Sequence, residues 1–224
     1  MILNNIKAAI FDLDGTLIDS LGIWHKIDIE YLKSKNLSVP EDLHKDIGHL
    51  SFYQTAEYFK KRFNIQDSVE TIMNTWNDMA FKFYSTSTPL KNGAKEFLEY
   101  LKYKGIKIGL ATSNSNHLLE AALKQNEIYN LFDSITTTSE VDNGKDKPDV
   151  YLLSAKKLNV SPKNCIVFED LLIAIKSAKS IGMKTIAIED IESIDDKNEL
   201  ISISDKYILD YIELLKELSI KRLM

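Results

Sequence analysis

Short apolar runs of strand length alternate with stretches of helical periodicity along most of this chain. Helical patterns between the later runs stop at Gly105 and Gly182, and glycine is typical of the residue that follows a helix. Pro148 suits the first turn of a helix predicted over Asp149 to Leu158. The runs that indicate buried strands are Lys7 to Leu13, Ile106 to Thr112, Ser134 to Thr137, Asn164 to Phe168, Lys184 to Ile188 and Lys206 to Leu209. This alternation predicts an α/β fold with a doubly wound, mostly parallel, Rossmann-like sheet.

One segment interrupts the alternation. Residues 20–87 show helical spacing throughout, with no strand signal, and their aromatic stripes are typical of the core of a helical bundle. We therefore predict an α/β core formed by residues 1–19 and 88–224, with an all-helical cap inserted as residues 20–87. Such a cap would lie beside the carboxyl ends of the strands, where open α/β sheets bind their ligands.

Composition narrows the classes of protein. The 224 residues, 44% of them hydrophobic, suffice for one large domain with a modest insertion. A formal net charge of −5 without dense basic patches argues against a nucleic-acid partner. No run approaches the length of a membrane span, and the single cysteine, Cys165, excludes an intramolecular disulfide. We expect a cytoplasmic protein that binds neither nucleic acid nor membrane, and no obligate protein partner is evident.

The strongest chemical signal follows the first apolar run. Asp12 and Asp14 leave the strand end on the same side, because side chains alternate along a strand and Leu13 points away. Gly15 permits a sharp turn, and Thr16 adds a hydroxyl beside backbone amides suited to an anion. An ordinary Asp-Gly turn has the same letters. The carboxylate pair nevertheless indicates metal-assisted phosphoryl transfer, with one carboxylate as nucleophile and the other as proton carrier.

Two later segments offer groups for the same chemistry. Thr112, Ser113 and Asn114 end the second strand with hydroxyls and an amide that could bind a phosphoryl oxygen, although Ser and Asn also cap helices well. Lys145 precedes a predicted helix, where a lysine on the surface would be equally ordinary. Neither segment by itself is sufficient evidence for a function.

Adjacent acids end another predicted strand. Glu169 and Asp170 follow the run Ile166 to Phe168, and two acids at a buried strand end call for a cation or a water-filled cleft. Each pair of like charges 4 Å apart costs roughly 4 kcal/mol at an effective dielectric of about 20. Bringing Asp12 and Asp14 to the same place therefore requires a divalent metal. Oxygen ligands favour Mg²⁺, and the absence of a Cys or His cluster argues against zinc.

These segments, in this order, resemble the four motifs of the haloacid dehalogenase superfamily. The matching positions are residues 12–16, the hydroxyl of Thr112, Lys145 ahead of Pro148, and residues 168–170. The helical insertion after the first motif resembles that of the subfamily that contains β-phosphoglucomutase and many small-molecule phosphatases. Leu171 and Ala174 stand where this family usually has a hydroxyl residue and a glycine.

The resemblance implies a role for each position. Asp12 would attack phosphorus, and Asp14 would protonate the leaving oxygen and then activate water. Asp170 would bind Mg²⁺ with the Asp12 carboxylate and the Asp14 carbonyl, and Glu169 would complete the sphere directly or through water. Lys145 would offset the negative charge on Asp12 and the phosphoryl group. The residues expected to hold the phosphate are Gly15, Thr16, Thr112, Ser113, Asn114 and Lys145.

The implied activity is hydrolysis of a small phosphorylated metabolite. The alternatives are a hexose phosphomutase like β-phosphoglucomutase and, less favoured, a noncatalytic protein that binds phosphometabolites on the same fold. A mutase needs basic residues in the cap to grip a second phosphate, and the loop of residues 48–52 has no arginine. Specificity would rest on the cap residues Trp24, His25, His49 and Phe52, although a solvated or structural role is favoured over a catalytic one for both histidines.

Overall fold

The computed structural model describes residues 2–47 and 50–220, and its centre is a parallel sheet. Every pairing between neighbouring strands is parallel, in the order β3-β2-β1-β4-β5-β6. The strands are β1 Ala8–Phe11, β2 Lys107–Thr112, β3 Ser134–Thr137, β4 Cys165–Glu169, β5 Lys184–Ile188 and β6 Lys206–Ile208. The predicted Rossmann-like α/β fold is confirmed.

The first strand is shorter than its apolar run predicts. β1 ends at Phe11, and the prediction that it continues to Leu13 is wrong. The chain turns instead, because the amides of Leu17 and Ile18 both donate to the carbonyl of Leu13, at 2.9 and 3.0 Å. The Asp12 amide still donates to the carbonyl of Phe168 at 3.0 Å, so the turn starts directly beside β4.

Helices cover both the sheet and its carboxyl edge. Four of them, α1 Leu21–Ser34, α2 Leu43–Ile47, α3 Phe52–Arg62 and α4 Val69–Thr86, follow β1. The others are α5 Ala94–Tyr103, α6 Asn116–Gln125, α7 Asp149–Lys157, α8 Leu172–Ser180, α9 Lys197–Ile203 and α10 Tyr211–Ile220. Within the described residues, none of these helices is both long and apolar enough to cross a membrane.

An aromatic cluster holds α1, α3 and α4 together. The ring of Trp76 lies 5.6 Å from that of Tyr31 and 4.8 Å from that of Phe59, both edge-on. Edge-on aromatic pairs contribute roughly 0.5–1.5 kcal/mol beyond the area they bury. The helical segment also packs on the core, since Ser115 ahead of α6 donates to Asn77 of α4 at 2.7 Å.

The two connections to these helices run side by side. The Asp19 amide donates to the Pro89 carbonyl at 2.9 Å, and the Lys91 amide donates to the Leu17 carbonyl at 2.8 Å. The chain therefore enters and leaves the helical segment at one place.

The strand order changes direction between β1 and β4. From β1 the chain proceeds outward through β2 and β3, then returns to place β4 on the other side of β1. Phe11 of β1 stacks on Phe168 of β4 with ring centroids 4.4 Å apart. Such a switch point opens a crevice at the carboxyl ends of the strands. The residues after Phe11 and Phe168 lie in that crevice.

Candidate active site

A buried lysine joins the ends of β1 and β4. The Lys145 ammonium, 2% exposed, donates hydrogen bonds to one carboxylate oxygen each of Asp12 and Glu169. Lys147, two residues further along the same segment, is exposed and makes neither contact. Two carboxylates thus fix the position of one cation at the floor of the crevice.

Glu169 is fully enclosed by hydrogen-bond donors. Besides Lys145, the Tyr151 hydroxyl donates to Oε1 at 3.1 Å, and the amides of Asp170 and Leu171 both donate to Oε2 at 3.0 Å. Both oxygens are therefore in use within the protein. The family that the sequence resembles usually has a hydroxyl side chain at the position of Leu171. In this chain the group at that position that contacts Glu169 is the backbone amide.

The acids converge as their positions in the sequence suggest. One carboxylate oxygen from each of Asp12, Glu169 and Asp170 lies within 4.8 Å of the others, and Thr16 Oγ1 donates to Asp170 at 3.1 Å. All four of these residues are buried. Oxygen donors alone, concentrated in this way, suit a hard divalent cation such as Mg²⁺.

Electrostatics agree with that geometry. Burial raises the pKa of Asp12 to about 8, although the Lys145 charge acts in the opposite direction. Burial, followed by the charges of Glu169 and Asp12, raises the pKa of Asp170 well above its usual value. Burial alone would lower the pKa of Lys145, but the carboxylates of Asp12 and Glu169 outweigh it and raise that pKa. One lysine therefore leaves the cluster short of positive charge.

Gly15 is required at this site for two reasons. Its φ of +76° lies in the left-handed region, and a Cβ atom here would fall 2.6 Å from Oδ2 of Asp170. We expect Gly15→Ala to displace the Asp170 carboxylate and to lower both metal affinity and turnover by at least about 100-fold. Titration of activity with Mg²⁺ measures this. Gly22→Ala is the control, because a Cβ at Gly22 meets no atom within 4 Å; equal behaviour of the two variants would contradict the packing argument.

Asp14 lies in the wall of the crevice and accepts three hydrogen bonds. Ser20 donates to its Oδ1 at 2.7 Å, Tyr84 of α4 donates to the same oxygen, and Asn114 Nδ2 donates to Oδ2 at 2.8 Å. The indole of Trp24 in turn donates to the Tyr84 hydroxyl at 2.6 Å. The orientation of Asp14 thus depends on helices α1 and α4 as well as on the core.

The end of β2 contributes hydroxyl and amide groups. The buried Thr112 hydroxyl accepts the Asn114 amide at 3.1 Å, and Asn114 Oδ1 accepts the Ser115 amide at 2.7 Å. The Ser113 hydroxyl is buried without a hydrogen-bond partner in the described structure. An unpartnered buried hydroxyl that lines the same cavity as Asp14 and Asp170 is suited to an incoming phosphoryl oxygen.

A cavity of about 180 Å³ opens above these groups. Its core side includes Asp14, Gly15, Ser113, Asn114 and Asp170, and its other side includes Trp24, Asp28, Phe52 and Trp76. Of the cap residues predicted to contact substrate, Trp24 and Phe52 line the cavity. His25 is exposed and does not line it, and His49 lies outside the described residues.

Several residues of the site escaped the sequence reasoning. Tyr84 and Ser20 carry no motif, and their contacts with Asp14 depend on how the helices pack. Tyr151 sits on the buried face of α7 like any core residue. Asp28 gives a detectable signal, because an acid interrupts the apolar stripe of α1 beside Ile27.

Comparisons with known proteins agree with this geometry. Residues 9–188 match the model of a family described as haloacid dehalogenase-like hydrolase. The chain is 30% identical over 181 residues to a phosphorylated carbohydrates phosphatase of Thermotoga maritima, covering 81% of this chain and 84% of that protein. It is 28% identical to hexitol phosphatase B of Escherichia coli K12, covering 85% and 87% respectively. A crystal structure of a putative beta-phosphoglucomutase from Thermotoga maritima superposes with a TM-score of 0.69 at 27% identity, covering 95% of this chain and 99% of that one.

The chain therefore belongs to the haloacid dehalogenase-like hydrolases. The prediction of a phosphoric monoester hydrolase of this type, with neighbours among the β-phosphoglucomutase-like structures, is confirmed.

Proposed function

We propose that this enzyme is a Mg²⁺-dependent phosphatase that hydrolyses a small phosphorylated carbohydrate through an aspartyl-phosphate intermediate. The observation that carries the proposal is the arrangement around the cavity: Asp12 is buried against Lys145, Asp170 lies beside it, and Asp14 stands in the wall. The names of the two relatives, a phosphorylated carbohydrates phosphatase and a hexitol phosphatase, support the same substrate class.

Two displacements at phosphorus account for the reaction. A carboxylate oxygen of Asp12 bonds to phosphorus while the bond to the leaving oxygen breaks, and Asp14 donates its proton to that oxygen. Water then attacks the phosphorus of the aspartyl phosphate, Asp14 takes the proton of this water, and the bond to Asp12 breaks. The products are an alcohol and inorganic phosphate, and both carboxyl groups return to their starting states.

Asp12 and Asp170 would hold the metal, with the backbone carbonyl of Asp14 as a third protein ligand. A divalent cation at this position supplies charge that offsets the approach of an anionic phosphoryl group to a carboxylate. Glu169 already accepts hydrogen bonds at both oxygens, which favours a contact through water over direct ligation. Its main task is to hold Lys145 beside the nucleophile.

The charges around the cavity favour water over a second sugar hydroxyl as the phosphoryl acceptor. Among the described lining residues there is no lysine or arginine to grip a distal phosphate. The nearest basic cluster of the cap is engaged elsewhere, since Arg62 pairs with Asp42 and Asp46 at 2.7 Å. A mutase must retain a bisphosphorylated intermediate, which this surface does not bind.

We therefore expect phosphate release rather than isomerisation. With β-glucose 1-phosphate and a trace of the 1,6-bisphosphate, any accepted sugar should yield inorganic phosphate without efficient formation of glucose 6-phosphate. A phosphate assay coupled in parallel to glucose 6-phosphate dehydrogenase measures both products. Fast isomerisation with little phosphate released would contradict this expectation and favour the mutase activity instead.

Residues 20–87 act, in this proposal, as a cap that opens and closes through the paired connections near residues 19–20 and 87–89. Closure excludes water during phosphorylation and places cap side chains on the leaving group. Opening would separate Tyr84 of the cap from Asp14 of the core. Substrate entry and alignment of the proton donor are then coupled.

If residues 20–87 act as a cap, Phe52 should influence which substrates the enzyme prefers. Phe52 lines the cavity and its ring lies 6.0 Å from that of Trp24. Phe52→Ala should change the ranking of phosphorylated substrates by about 10-fold or more while p-nitrophenyl phosphate changes little. Exposed Tyr53 on the same helix provides the matched control, Tyr53→Ala. Equal losses on every substrate would show that Phe52 only holds the cap together.

The function itself is tested by a screen. Mg²⁺-supported release of inorganic phosphate should be measured over phosphorylated sugars, sugar alcohols and nucleotides, with p-nitrophenyl phosphate as a generic substrate. The proposal expects the sugar and sugar-alcohol phosphates to rank highest. Absence of phosphate release from every compound would refute it.

A further inference from the structure

The cavity contains a second acidic pair that the mechanism does not use. Asp28 of α1 lines the cavity at 5% exposure, and Glu192, in the loop after β5, lines it from an exposed position at the rim. Among the groups that the structure describes, which do not include the side chains of residues 44 and 45, none donates a hydrogen bond to the Asp28 carboxylate. A buried carboxylate without a donor is costly, so its presence calls for an explanation.

The surroundings do not neutralise this pair. The two lysines nearest to the acids of the site are already committed: Lys145 donates to Asp12 and Glu169, and Lys91 pairs with Asp190 at 2.7 Å. Burial, with the charge of Glu192 as a further cause, raises the pKa of Asp28 to about 7. Among the described residues that line the cavity away from the metal cluster, two are acids and none is a lysine or an arginine.

The remaining walls are aromatic. Trp24, Phe52 and Trp76 line the same cavity, with the Phe52 ring 5.7 Å from that of Trp76. A carbon chain bearing several hydroxyls satisfies both kinds of wall, because its C–H groups pack on rings and its O–H groups donate to carboxylates. A second phosphate or a carboxylate would instead lie beside the carboxyl groups of Asp28 and Glu192, which repel an anion when they are ionised.

We infer that this cavity, granted the proposed phosphatase activity, selects a hydroxyl-rich leaving group that carries no negative charge, and that Asp28 accepts its hydroxyl hydrogen bonds. Asp28 is thus a specificity residue for the alcohol product, remote from the phosphoryl chemistry. Glu192 contributes at the mouth of the cavity by repelling anionic leaving groups.

Steady-state kinetics on three monophosphates test the inference. Sorbitol 6-phosphate offers hydroxyls, phosphoglycolate offers a carboxylate, and p-nitrophenyl phosphate offers neither. The unaltered enzyme should favour sorbitol 6-phosphate over phosphoglycolate by about 100-fold in kcat/KM, and Asp28→Asn should reduce that ratio about 10- to 100-fold while p-nitrophenyl phosphate stays within about twofold. Glu30→Gln, an exposed acid on the same helix, should change none of these values.

Two kinetic outcomes would overturn the inference. One is equal loss on all three substrates in Asp28→Asn protein that keeps its thermal unfolding midpoint. The other is a preference of the unaltered enzyme for phosphoglycolate. Asp28→Ala serves as a second variant, since it removes both acceptor oxygens without adding a donor, whereas asparagine keeps one acceptor oxygen and adds an NH₂ donor.

Binding separates this inference from the proposed activity. Calorimetry with Mg²⁺ and Asp12→Asn protein, which cannot form the phosphoenzyme, reports affinity without turnover. Tighter binding of sorbitol 6-phosphate than of phosphoglycolate, weakened about 10- to 100-fold by adding Asp28→Asn, supports the inference even if no phosphate is ever released. Equal affinities for the two compounds would refute it whatever the enzyme hydrolyses.

Discussion

Asp12→Asn should lower phosphatase turnover by about 10⁴-fold or more while leaving the fold intact. Asparagine has the shape of aspartate but lacks the charge that attacks phosphorus. The fold should survive because Lys145, the buried partner of Asp12, keeps its second hydrogen bond, to Glu169. Initial rates on p-nitrophenyl phosphate and on the best metabolite from the screen measure the loss, and circular dichroism checks the fold.

A matched variant isolates the nucleophile from a general change of charge. Asp142→Asn removes one negative charge at an exposed position in the segment before Lys145 and should leave turnover unchanged. Unaltered protein mixed with substrate and quenched in acid should carry phosphate on Asp12, and the Asp12→Asn variant should carry none. Turnover in that variant within about tenfold of the original would rule out covalent catalysis by Asp12.

Removal of the metal should have an effect of similar size. Excess chelator should abolish hydrolysis and added Mg²⁺ restore it, because the acids at the ends of β1 and β4 cannot receive an anionic phosphate alone. Asp170→Ala should raise the Mg²⁺ concentration needed for half-maximal activity by at least about 100-fold, or eliminate turnover. Metal titrations of activity and calorimetry measure both effects.

A measurement of thermal stability distinguishes the loss of a metal ligand from the loss of the folded structure in the Asp170→Ala variant. The raised pKa of Asp170 means that this carboxyl group destabilises the metal-free folded state at every pH above its pKa in the unfolded chain, and that the penalty is absent below that pKa. Asp170→Ala should therefore not lower the thermal unfolding midpoint at pH 8 in chelator. Full activity of the unaltered enzyme in excess chelator would contradict the metal site itself.

The boundaries of a strand could be predicted where the neighbouring residues in the sequence determine where it begins and ends. β3 and β5 occupy the predicted residues, Ser134–Thr137 and Lys184–Ile188, because polar or turn-forming neighbours bound each apolar run. β1 falls short of Leu13, since the apolar side chain of Leu13 is buried by a turn rather than by a strand. A run of hydrophobic residues indicates burial, but it does not distinguish a buried turn from a buried strand.

The residues of the candidate site also fall into two groups: those that the local sequence places and those whose position depends on tertiary packing. Asp12, Asp14 and Asp170 could be placed together because parallel strands deliver their carboxyl ends to one edge. Tyr84 could not, since it reaches Asp14 across 70 residues and only through the packing angle of α4 on the core. Asp28 is marked in the sequence only as an acid within an apolar helix stripe, and that pattern does not say what the carboxylate faces. Its place in the cavity depends on how α1 packs beside the core.

Both tryptophans of the chain, Trp24 and Trp76, line the cavity. The ultraviolet emission of this protein should therefore originate almost entirely from the walls of this cavity. Trp24 also donates to the Tyr84 hydroxyl, which itself contacts Asp14, so we expect its emission to change if the proposed cap moves away from the core. Stopped-flow fluorescence would then follow ligand arrival and the proposed cap movement without any attached dye, and replacing each tryptophan by phenylalanine would assign the signal to one wall.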